Sequence, residues 1–316
     1  MKSSENENNM CKISIIIPVY NCAEYIEDCL KSALAQKSNK YELEIVVVND
    51  GSTDNSEEKI KQYDDKELKY IKQKNGGLSS ARNTGLKVSS GDFVFFLDSD
   101  DMLPKEAIIA LYNRYLKTHD DIIIGKVKSF TSKGSDDYYS NKYIKEMCHI
   151  TYKEYPKLLD IISVCGKLYV KKVLDGISFI NNVVHEDNYF TLSLLRSGAK
   201  CSFLSFYTYM RRIREGENAS ITQRLGMKSF EDLIFNYQRL IDEGHVDMPI
   251  NLALSRKTTR YIARYIKKID IKKAEMIQRD FWKKLDERTN KSRLHGVWIK
   301  RWIWIIECKI YKLVKM

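Results

Sequence analysis

The sequence predicts an α/β fold in which a mostly parallel sheet is flanked by helices and followed by a helical C-terminal region. Two observations lead to this prediction. Short runs rich in Ile, Val and Phe alternate with stretches of helical apolar spacing, and the runs are continuous, as in strands buried on both faces. Beyond residue 222 only helical spacing recurs. Regular alternation of strand and helix is typical of a parallel sheet covered on both sides.

The first half of the chain supplies the predicted sheet. Lys12–Val19 (KISIIIPV) is the first apolar run, and Asn21 with Glu24 three positions later is a variant helix-capping sequence. The predicted strands are 12–19, 43–48, 68–71, 93–97 and 121–125, and the predicted helices begin near 21, 52–54, 79 and 104.

The alternation weakens after residue 130. Residues 131–143 are polar and rich in Tyr, which predicts a hairpin or a mobile loop. Gly198 follows a helical run at a position where a glycine C-cap is favoured. The other predictions in this part are a helix at 152–162, a short strand at 165–170, a helix after 187 and a strand at 201–210.

Length and composition predict one large domain or two modest ones, since the chain has 316 residues and is 43% hydrophobic. The first residues are polar, show no signal-peptide pattern and are expected to form a disordered lead. Seven cysteines without paired metal spacing indicate reduced thiols in a cytoplasmic protein. We predict a lead at 1–11, a domain with the sequence motifs at 12–222, and a helical region at 223–316 with a basic amphipathic tail at 295–316.

The tail holds most of the excess positive charge. Residues 256–316 contain 19 Lys and Arg against 6 Asp and Glu, which leaves 34 against 36 in the rest of the chain. On a helical wheel Trp298 and Trp302 lie on an apolar arc, opposite Lys300 and Arg301. A basic, Trp-rich amphipathic helix predicts attachment at a membrane interface, and no apolar stretch is long enough to span a bilayer. The alternatives are packing on the rest of the chain or on a dimer partner, and nucleic-acid binding, which is disfavoured because no such module is recognisable.

Three acids follow one of the most apolar runs of the chain. Asp98, Asp100 and Asp101 come directly after FVFFL at 93–97. Open α/β sheets bind ligands at the carboxyl ends of their strands, and hard divalent cations that bridge to phosphates prefer oxygen donors. The alternative is that these acids only cap the helix after Pro104. Because one acid is enough for a cap, the cluster favours a site for a metal ion and a nucleoside diphosphate.

Three further sets of residues are candidates for the same edge of the sheet. Asp50 follows the second strand, where a carboxylate either accepts a hydrogen bond from a base or ribose or is simply a turn residue. The segment 75–83 (NGGLSSARN) places a glycine turn and Arg82 at a helix N-terminus, which attracts phosphate, although a capping serine is the alternative. Glu186 and Asp187 either complement a helix dipole or supply a general base.

Taken in order, these motifs resemble those of the family 2 glycosyltransferases, which have the GT-A fold. The resemblance is based on IIIPVYN, VVNDGSTD, NGGLSSARNTGL, GDFVFFLDSDD, GKLY and HED, and it spans 12–222. It is closest in style to bacterial enzymes that build capsule, cell-wall or lipopolysaccharide glycans. It implies that 12–222 is a GT-A catalytic domain, whereas the region beyond shows no family-wide pattern.

The resemblance also implies roles for individual residues. Asp100 is expected to bind Mn²⁺ or Mg²⁺, and Asp98, the first acid of the DxD motif, to lie near the ribose. Asp187 is expected to be the catalytic base, with Glu186 as its companion. No C-terminal His occupies a recognisable metal-binding position, so water is expected to complete the metal shell. The residues expected to bind the nucleotide sugar are Pro18, Tyr20, Asp50, Arg82, Asp98 and Ser99.

The implied activity is inverting transfer of a sugar from a UDP-sugar to a hydroxyl of a lipid-linked glycan at the inner face of the cell membrane. A divalent cation would neutralise the leaving diphosphate, and a base would take the proton of the acceptor hydroxyl. A sugar nucleotidyltransferase is the alternative enzyme, disfavoured because no Gly-rich basic loop follows the first strand. A catalytically inactive binding subunit is also disfavoured, because every acidic motif position is filled.

Overall fold

A computed structural model gives the fold of the chain. It describes residues 10–131, 134–138, 140–214, 226–244 and 246–289, together with 297, 300 and 301. The chain forms two compact units. The sheet unit consists of Met1–Ile150, Ser163–Asn181 and Ala199–Ile213, and the helical unit consists of Thr151–Ile162, Asn182–Gly198 and Arg214–Met316.

The two units interleave along the sequence. Residues 151–162 and 182–198 fall inside the predicted domain 12–222, yet they belong to the helical unit. The predicted boundary near 222 lies among residues outside the described ranges, as do residues 1–9 of the predicted lead and most of the tail 295–316.

The sheet unit contains one sheet, with eight strands among the described residues. The strands are β1 Lys12–Val19, β2 Glu42–Asn49, β3 Leu68–Lys72, β4 Phe93–Phe96, β5 Ile122–Thr131, β6 Gly134–Asp137, β7 Lys167–Val170 and β8 Cys201–Arg212. Their order across the sheet is β3-β2-β1-β4-β7-β5-β6, and β8 pairs with β5. All seven strands predicted from the apolar runs are present.

Parallel pairing is confirmed in the half of the sheet around β1, which pairs in parallel with β2 and β4. All four residues of β4 are buried because the strand is apolar on both faces. β7 lies antiparallel between β4 and β5, so the whole sheet is mixed. β5 and β6 form an antiparallel hairpin, as one of the two interpretations of 131–143 predicted.

Among the described residues, four α-helices belong to the sheet unit. They are α1 Ile26–Leu34, α2 Ser56–Lys61, α3 Leu78–Val88 and α4 Ala107–Thr118. α3 lies very close to β1, since a Cβ added to Gly85 would be 2.3 Å from Cγ2 of Ile16. A glycine is needed where backbones approach this closely. The contact fixes α3, and with it the position of Arg82, against the sheet.

The prediction that Asn21 and Glu24 cap the helix α1 is wrong. α1 begins at Ile26 after Tyr25, with no side-chain cap. Asn21 instead accepts a hydrogen bond from the backbone N of Thr53 at 2.8 Å, and its own backbone N donates to Ser52 Oγ at 3.1 Å. Asn21 therefore joins the chain that follows β1 to the chain that follows β2.

The helical unit confirms the prediction of helices in the C-terminal region. Its helices are α5 Glu186–Arg196, α6 Met227–Asp242, α7 Met248–Arg264 and α8 Ile271–Glu287. The side chains of Asp247 and Asp270 cap α7 and α8. The helix predicted at 152–162 is only a short 3-10 helix, Pro156–Asp160. A proline disfavours helical backbone in the residue before it, which keeps the preceding residues out of the helix.

Residues 297, 300 and 301 are the only described residues of the predicted tail. Val297 is buried, and Arg301 is 5% exposed. Arg301 forms a bidentate ion pair with Asp286 at 2.7 and 2.9 Å and lies 4.6 Å from the ring centre of Trp282. The predicted place of Arg301 on the polar side of a membrane-attached helix is therefore wrong, and the packing alternative holds for this residue. No helix among the described residues is long and apolar enough to cross a bilayer.

Candidate active site

The chain segments that follow β1, β2 and β4 lie side by side at one edge of the sheet unit. Asp50 N donates to Val19 O at 2.8 Å, and Leu97 N donates to Ile16 O at 3.0 Å. These bonds continue the parallel pairing past the strand ends, where α/β sheets bind ligands. The predicted residues that follow β1, β2 and β4 at this edge are Tyr20, Asp50, Asp98, Ser99 and Asp100.

Asp98 begins the acidic loop, which we define as residues 98–102. Its side chain is 31% exposed, and Oδ1 accepts a hydrogen bond from Arg82 Nη2 at 2.8 Å. The thiol of Cys165 donates to Asp98 Oδ2 at 3.6 Å. Arg82 is 2% exposed and lies 5.2 Å from the ring centre of Phe179. Arg82 therefore orients Asp98 and balances its charge, while a direct contact of Arg82 with phosphate stays a prediction.

Asp101 has a different environment from its neighbours, since it is 5% exposed. Tyr209 Oη donates to Asp101 Oδ2 at 2.7 Å, and the backbone N of Arg212 donates to Asp101 Oδ1 at 2.7 Å. Burial, together with the charges of Asp100 and Asp98, raises the pKa of Asp101 well above its usual range. The carboxyl group of Asp101 therefore stabilises the loop through these two hydrogen bonds.

The alternative in which these acids only cap the next helix is wrong. α4 begins at Ala107, three residues after Pro104, and Glu106 at its N-cap makes no side-chain capping bond. Within the loop, Asp101 N donates to Asp98 O at 3.0 Å, which forms a tight turn. The acids are held by this turn and by partners distant in sequence.

Asp50 holds the glycine turn that precedes α3. It is 2% exposed, and its carboxylate accepts from Gly76 N at 2.9 Å, Gly77 N at 2.7 Å and Gln73 Nε2 at 2.6 Å. Asp50 therefore stabilises the turn at 75–77, which is not the turn at 49–51 that its own sequence suggested. Contact with a nucleobase or ribose stays a prediction.

Three predicted nucleotide-binding residues lie near the end of β1. Pro18 is buried within the strand, whereas Tyr20 is 50% exposed. Ser99 is buried, and its Oγ donates to Cys22 Sγ at 3.1 Å. Tyr20 is the member of this set that presents a large aromatic surface to a ligand.

Glu186 and Asp187 occupy the first turn of α5, in the helical unit. Glu186 is buried and Asp187 is half-buried, so Asp187 is the more accessible carboxylate. His185 precedes them with a φ of 66°, in the left-handed region. Burial lowers the pKa of His185, and the charge of Asp187 opposes this effect. The assignment of Asp187 as base and Glu186 as companion stays a prediction.

The donor atoms of the acidic loop suit a hard divalent cation that shares its ligands with a diphosphate. Asp98 and Asp100 offer carboxylate oxygens that are not fully buried. Among the described residues no group of three His, Cys, Asp or Glu side chains is arranged to hold a metal. Mg²⁺ is commonly bound by one or two carboxylates with substrate phosphates and water as the remaining ligands. The two acids fit that kind of site.

Comparison with known proteins identifies the class. The model of the family described as Glycosyl transferase family 2 matches residues 14–177. The chain therefore belongs to the family 2 glycosyltransferases, and the resemblance drawn from its motifs is confirmed.

Individual relatives agree with this assignment. The chain is 33% identical over 258 residues to Glycosyltransferase GlyA of Streptococcus pneumoniae, covering 78% of this chain and 37% of GlyA. It is 32% identical over 219 residues to the poly(ribitol-phosphate) β-N-acetylglucosaminyltransferase TarP of Staphylococcus aureus, covering 67% of this chain and 65% of TarP. The chain thus spans from about a third to about two thirds of the length of these curated relatives.

A solved structure shares the fold. The crystal structure of Staphylococcus aureus TarS in complex with UDP-GlcNAc matches with a TM-score of 0.67 and 26% identity, covering 86% of this chain and 78% of that one. The predicted GT-A class, with helices flanking the sheet and a helical C-terminal region, is confirmed.

Several residues at this edge were not predicted from the sequence. Cys165, Tyr209 and Arg212 all contact the acidic loop, although they lie 67 to 112 positions from their partners. No local spacing indicates such contacts. A signal in the sequence is the pair of arginines, Arg211 and Arg212, that directly follows the aromatic run at 201–210.

Proposed function

We propose that this protein transfers a sugar from a UDP-sugar to a hydroxyl group of a cell-surface glycopolymer, with inversion at the anomeric carbon and with the help of Mn²⁺ or Mg²⁺. The observation that supports this most is the acidic loop at the end of β4, where Asp98 is held by the buried Arg82. The TarS structure that shares this fold contains UDP-GlcNAc.

The edge of the sheet unit is the proposed donor site. Tyr20 offers an exposed ring on which a base can stack, and the backbone N of Asp50 bonds to the carbonyl oxygen of Val19, the residue before Tyr20. Asp100 would hold the divalent cation with the diphosphate, and Asp98 would lie near the ribose. The cation, when bound, supplies positive charge that stabilises the leaving UDP.

The proposed chemistry is a single displacement. The acceptor oxygen forms a bond to the anomeric carbon while the bond from that carbon to the diphosphate oxygen breaks. Asp187 takes the proton of the acceptor hydroxyl, and UDP leaves with the bonding electron pair. A direct displacement inverts the anomeric centre, so an α-linked UDP-sugar gives a β-glycoside.

The acceptor class is proposed from the relatives. TarP is named for transfer of N-acetylglucosamine to poly(ribitol-phosphate), and a 30% identical Bacillus spizizenii relative is named for glucosyl transfer to the same polymer. We propose a teichoic-acid-like or related cell-wall polymer, or its lipid-linked precursor, as the acceptor. The peripheral membrane location predicted from the tail remains part of this proposal.

A donor-panel assay tests the proposed function. UDP release is measured with UDP-Glc, UDP-Gal, UDP-GlcNAc and UDP-GalNAc, each with Mn²⁺, with Mg²⁺ and with EDTA. We expect one donor to be turned over in the presence of a divalent cation and release to stop with EDTA. Turnover that is unchanged in EDTA would remove the metal from the mechanism, and binding of UDP-sugars without any turnover would favour the inactive binding subunit.

A further inference from the structure

Strand β8 holds the acidic loop along its length. Met102 N donates to Met210 O at 3.0 Å, and Met210 N donates to Met102 O at 2.9 Å, so the loop pairs with β8 as an antiparallel bridge. Tyr209 Oη accepts from Asp98 N at 3.1 Å and donates to Asp101. The loop that carries the proposed metal ligand is therefore positioned by β8.

Arg212, the last residue of β8, completes this contact. Its Nε donates to the carbonyl oxygen of Asp100 at 2.9 Å, while its backbone N donates to the carboxylate of Asp101. The same residue thus bonds the main chain of one acid and the side chain of the next. A carbonyl held in this way fixes the peptide plane that follows Asp100 and restricts the direction of its side chain.

The guanidinium of Arg212 is itself fixed on its other sides. Nη2 donates to Asp28 Oδ2 of α1 at 3.0 Å. Its plane lies 5.1 Å from the ring centre of Tyr25 and 4.8 Å from that of Phe130. A planar group with donors on two edges and aromatic contacts on its faces is a role for arginine that lysine does not reproduce.

The geometry points to Arg212 as a positioning residue for metal and diphosphate binding, and this inference rests on the proposed function. Asp98 and Asp100 lie two positions apart in the chain, and repulsion between their carboxylates favours a more open loop. Arg212 opposes this by adding a positive charge and a directed hydrogen bond at the back of the loop. Metal sites need their ligands within about 0.5 Å of the productive geometry, so a loosened loop binds metal more weakly.

The test compares two identical substitutions at adjacent positions. Arg212→Lys keeps the charge but removes the Nε donor and the planar face. Arg211→Lys is the matched control, since the Arg211 guanidinium lies 5.5 Å from the ring centre of Tyr138 and Arg211 has no place in the proposed machinery. Amide hydrogen exchange of the acidic loop in the ligand-free protein, and turnover as a function of Mn²⁺ concentration, are measured for both.

We expect amides of the acidic loop to exchange at least about tenfold faster in Arg212→Lys, because local opening loses a charge-assisted bond. The Mn²⁺ concentration for half-maximal turnover should rise about tenfold, with a smaller fall in kcat at saturating Mn²⁺. Arg211→Lys should stay within about twofold of the parent protein in both measurements. Equal loop exchange and equal Mn²⁺ requirement in the two variants would overturn the inference.

A second variant decides the same question without altering the arginine. Asp28 is 53% exposed, so Asp28→Ala leaves the core intact while removing the acceptor that anchors the guanidinium on this side. Faster exchange confined to the acidic loop supports the positioning role, and unchanged exchange in this variant overturns it.

The exchange measurement does not require an active enzyme. A parent protein without metal-dependent turnover would therefore refute the proposed function, while loop exchange would still decide whether Arg212 positions the loop.

Discussion

Asp98, Asp100 and Asp101 are close neighbours in sequence, yet the fold gives them different environments. Asp98 is partly exposed and paired with a buried arginine, Asp100 is half-buried with its carbonyl bound to Arg212, and Asp101 is buried. The sequence identifies the cluster of acids but not the different environments of its three members. The different environments depend on Arg82, Tyr209 and Arg212. They therefore depend on how elements distant in sequence pair with each other.

Asp187 is the residue on which the proposed chemistry depends most. Asp187→Asn removes the base without changing size, so transfer should fall by about 10²-fold or more while UDP-sugar affinity stays within about twofold. Transfer rate and donor affinity are measured separately, by product formation and by calorimetry. Glu186→Gln serves as the comparison, because it makes the same kind of change next to it. Loss of transfer in Glu186→Gln with an active Asp187→Asn would exchange the two roles.

At the scale of elements, the N-terminus of α5 is sensitive to pH. Burial lowers the pKa of His185 from 6.5, so the unfolded chain binds the proton more readily than the folded chain. The stability associated with neutral His185 is therefore fully present above about pH 6.5 and is lost as the pH falls through the window below it.

We predict that His185→Asn flattens the dependence of Tm on pH below about 6.5, since asparagine does not titrate and tolerates the left-handed backbone. We compare the slopes of Tm against pH and not the Tm values themselves, because the substitution also removes the edge-to-face contact with Tyr261. His119→Asn is the matched control, since His119 is exposed and has a φ of 51°. Thermal unfolding followed by circular dichroism gives both slopes. An unchanged slope in His185→Asn would refute the assignment.

The central strands could be predicted because their sequence signal is local. β1, β2 and β4 are apolar on both faces, and continuous apolar runs predict buried parallel strands. The antiparallel direction of β7 could not be predicted, since four residues carry no information on their partners. The helix predicted at 152–162 from apolar spacing is shortened because the proline at 156 keeps the residues before it out of helical backbone. The placement of Asp50 and Asp98 just past strand ends could be predicted for the same reason as the strands.

At the scale of the whole chain, the units interleave in sequence, and the tail is tied to the helical unit. Arg301 donates to Asp286, to Asn251 Oδ1 at 3.1 Å and to Ser255 Oγ at 3.0 Å. A truncation that removes 296–316 therefore also removes a buried ion pair. A truncation after 301 keeps that pair and deletes only the rest of the amphipathic segment.

We predict that Arg301→Gln destabilises the protein by about 3 kcal/mol, because it leaves the half-buried Asp286 without its charge partner. Lys300→Gln, at the neighbouring exposed position, should change the free energy of unfolding by less than about 0.5 kcal/mol. Urea unfolding measures both. Equal effects of the two substitutions would show that the first turn of the tail is not anchored as described.

The truncation after 301 also tests the membrane proposal. Flotation with anionic and neutral vesicles compares the full chain with the truncated one. We expect the full chain to float with anionic vesicles at low salt and the truncated chain to stay at the bottom, since basic residues add about 1 kcal/mol each near an anionic surface. If the two proteins float equally, the tail does not bind the membrane and has only a packing role.

Calorimetry of UDP binding tests the central claim most directly, namely that the acidic loop binds the diphosphate together with a divalent cation. UDP affinity is measured with Mn²⁺ and with EDTA for the parent protein, for Asp100→Asn and for Asp64→Asn, which makes the same change at an exposed position of the sheet unit. We predict that Mn²⁺ tightens UDP binding at least about tenfold in the parent protein and in Asp64→Asn, and that this dependence disappears in a folded Asp100→Asn. A folded Asp100→Asn that keeps the full Mn²⁺ dependence would contradict the claim.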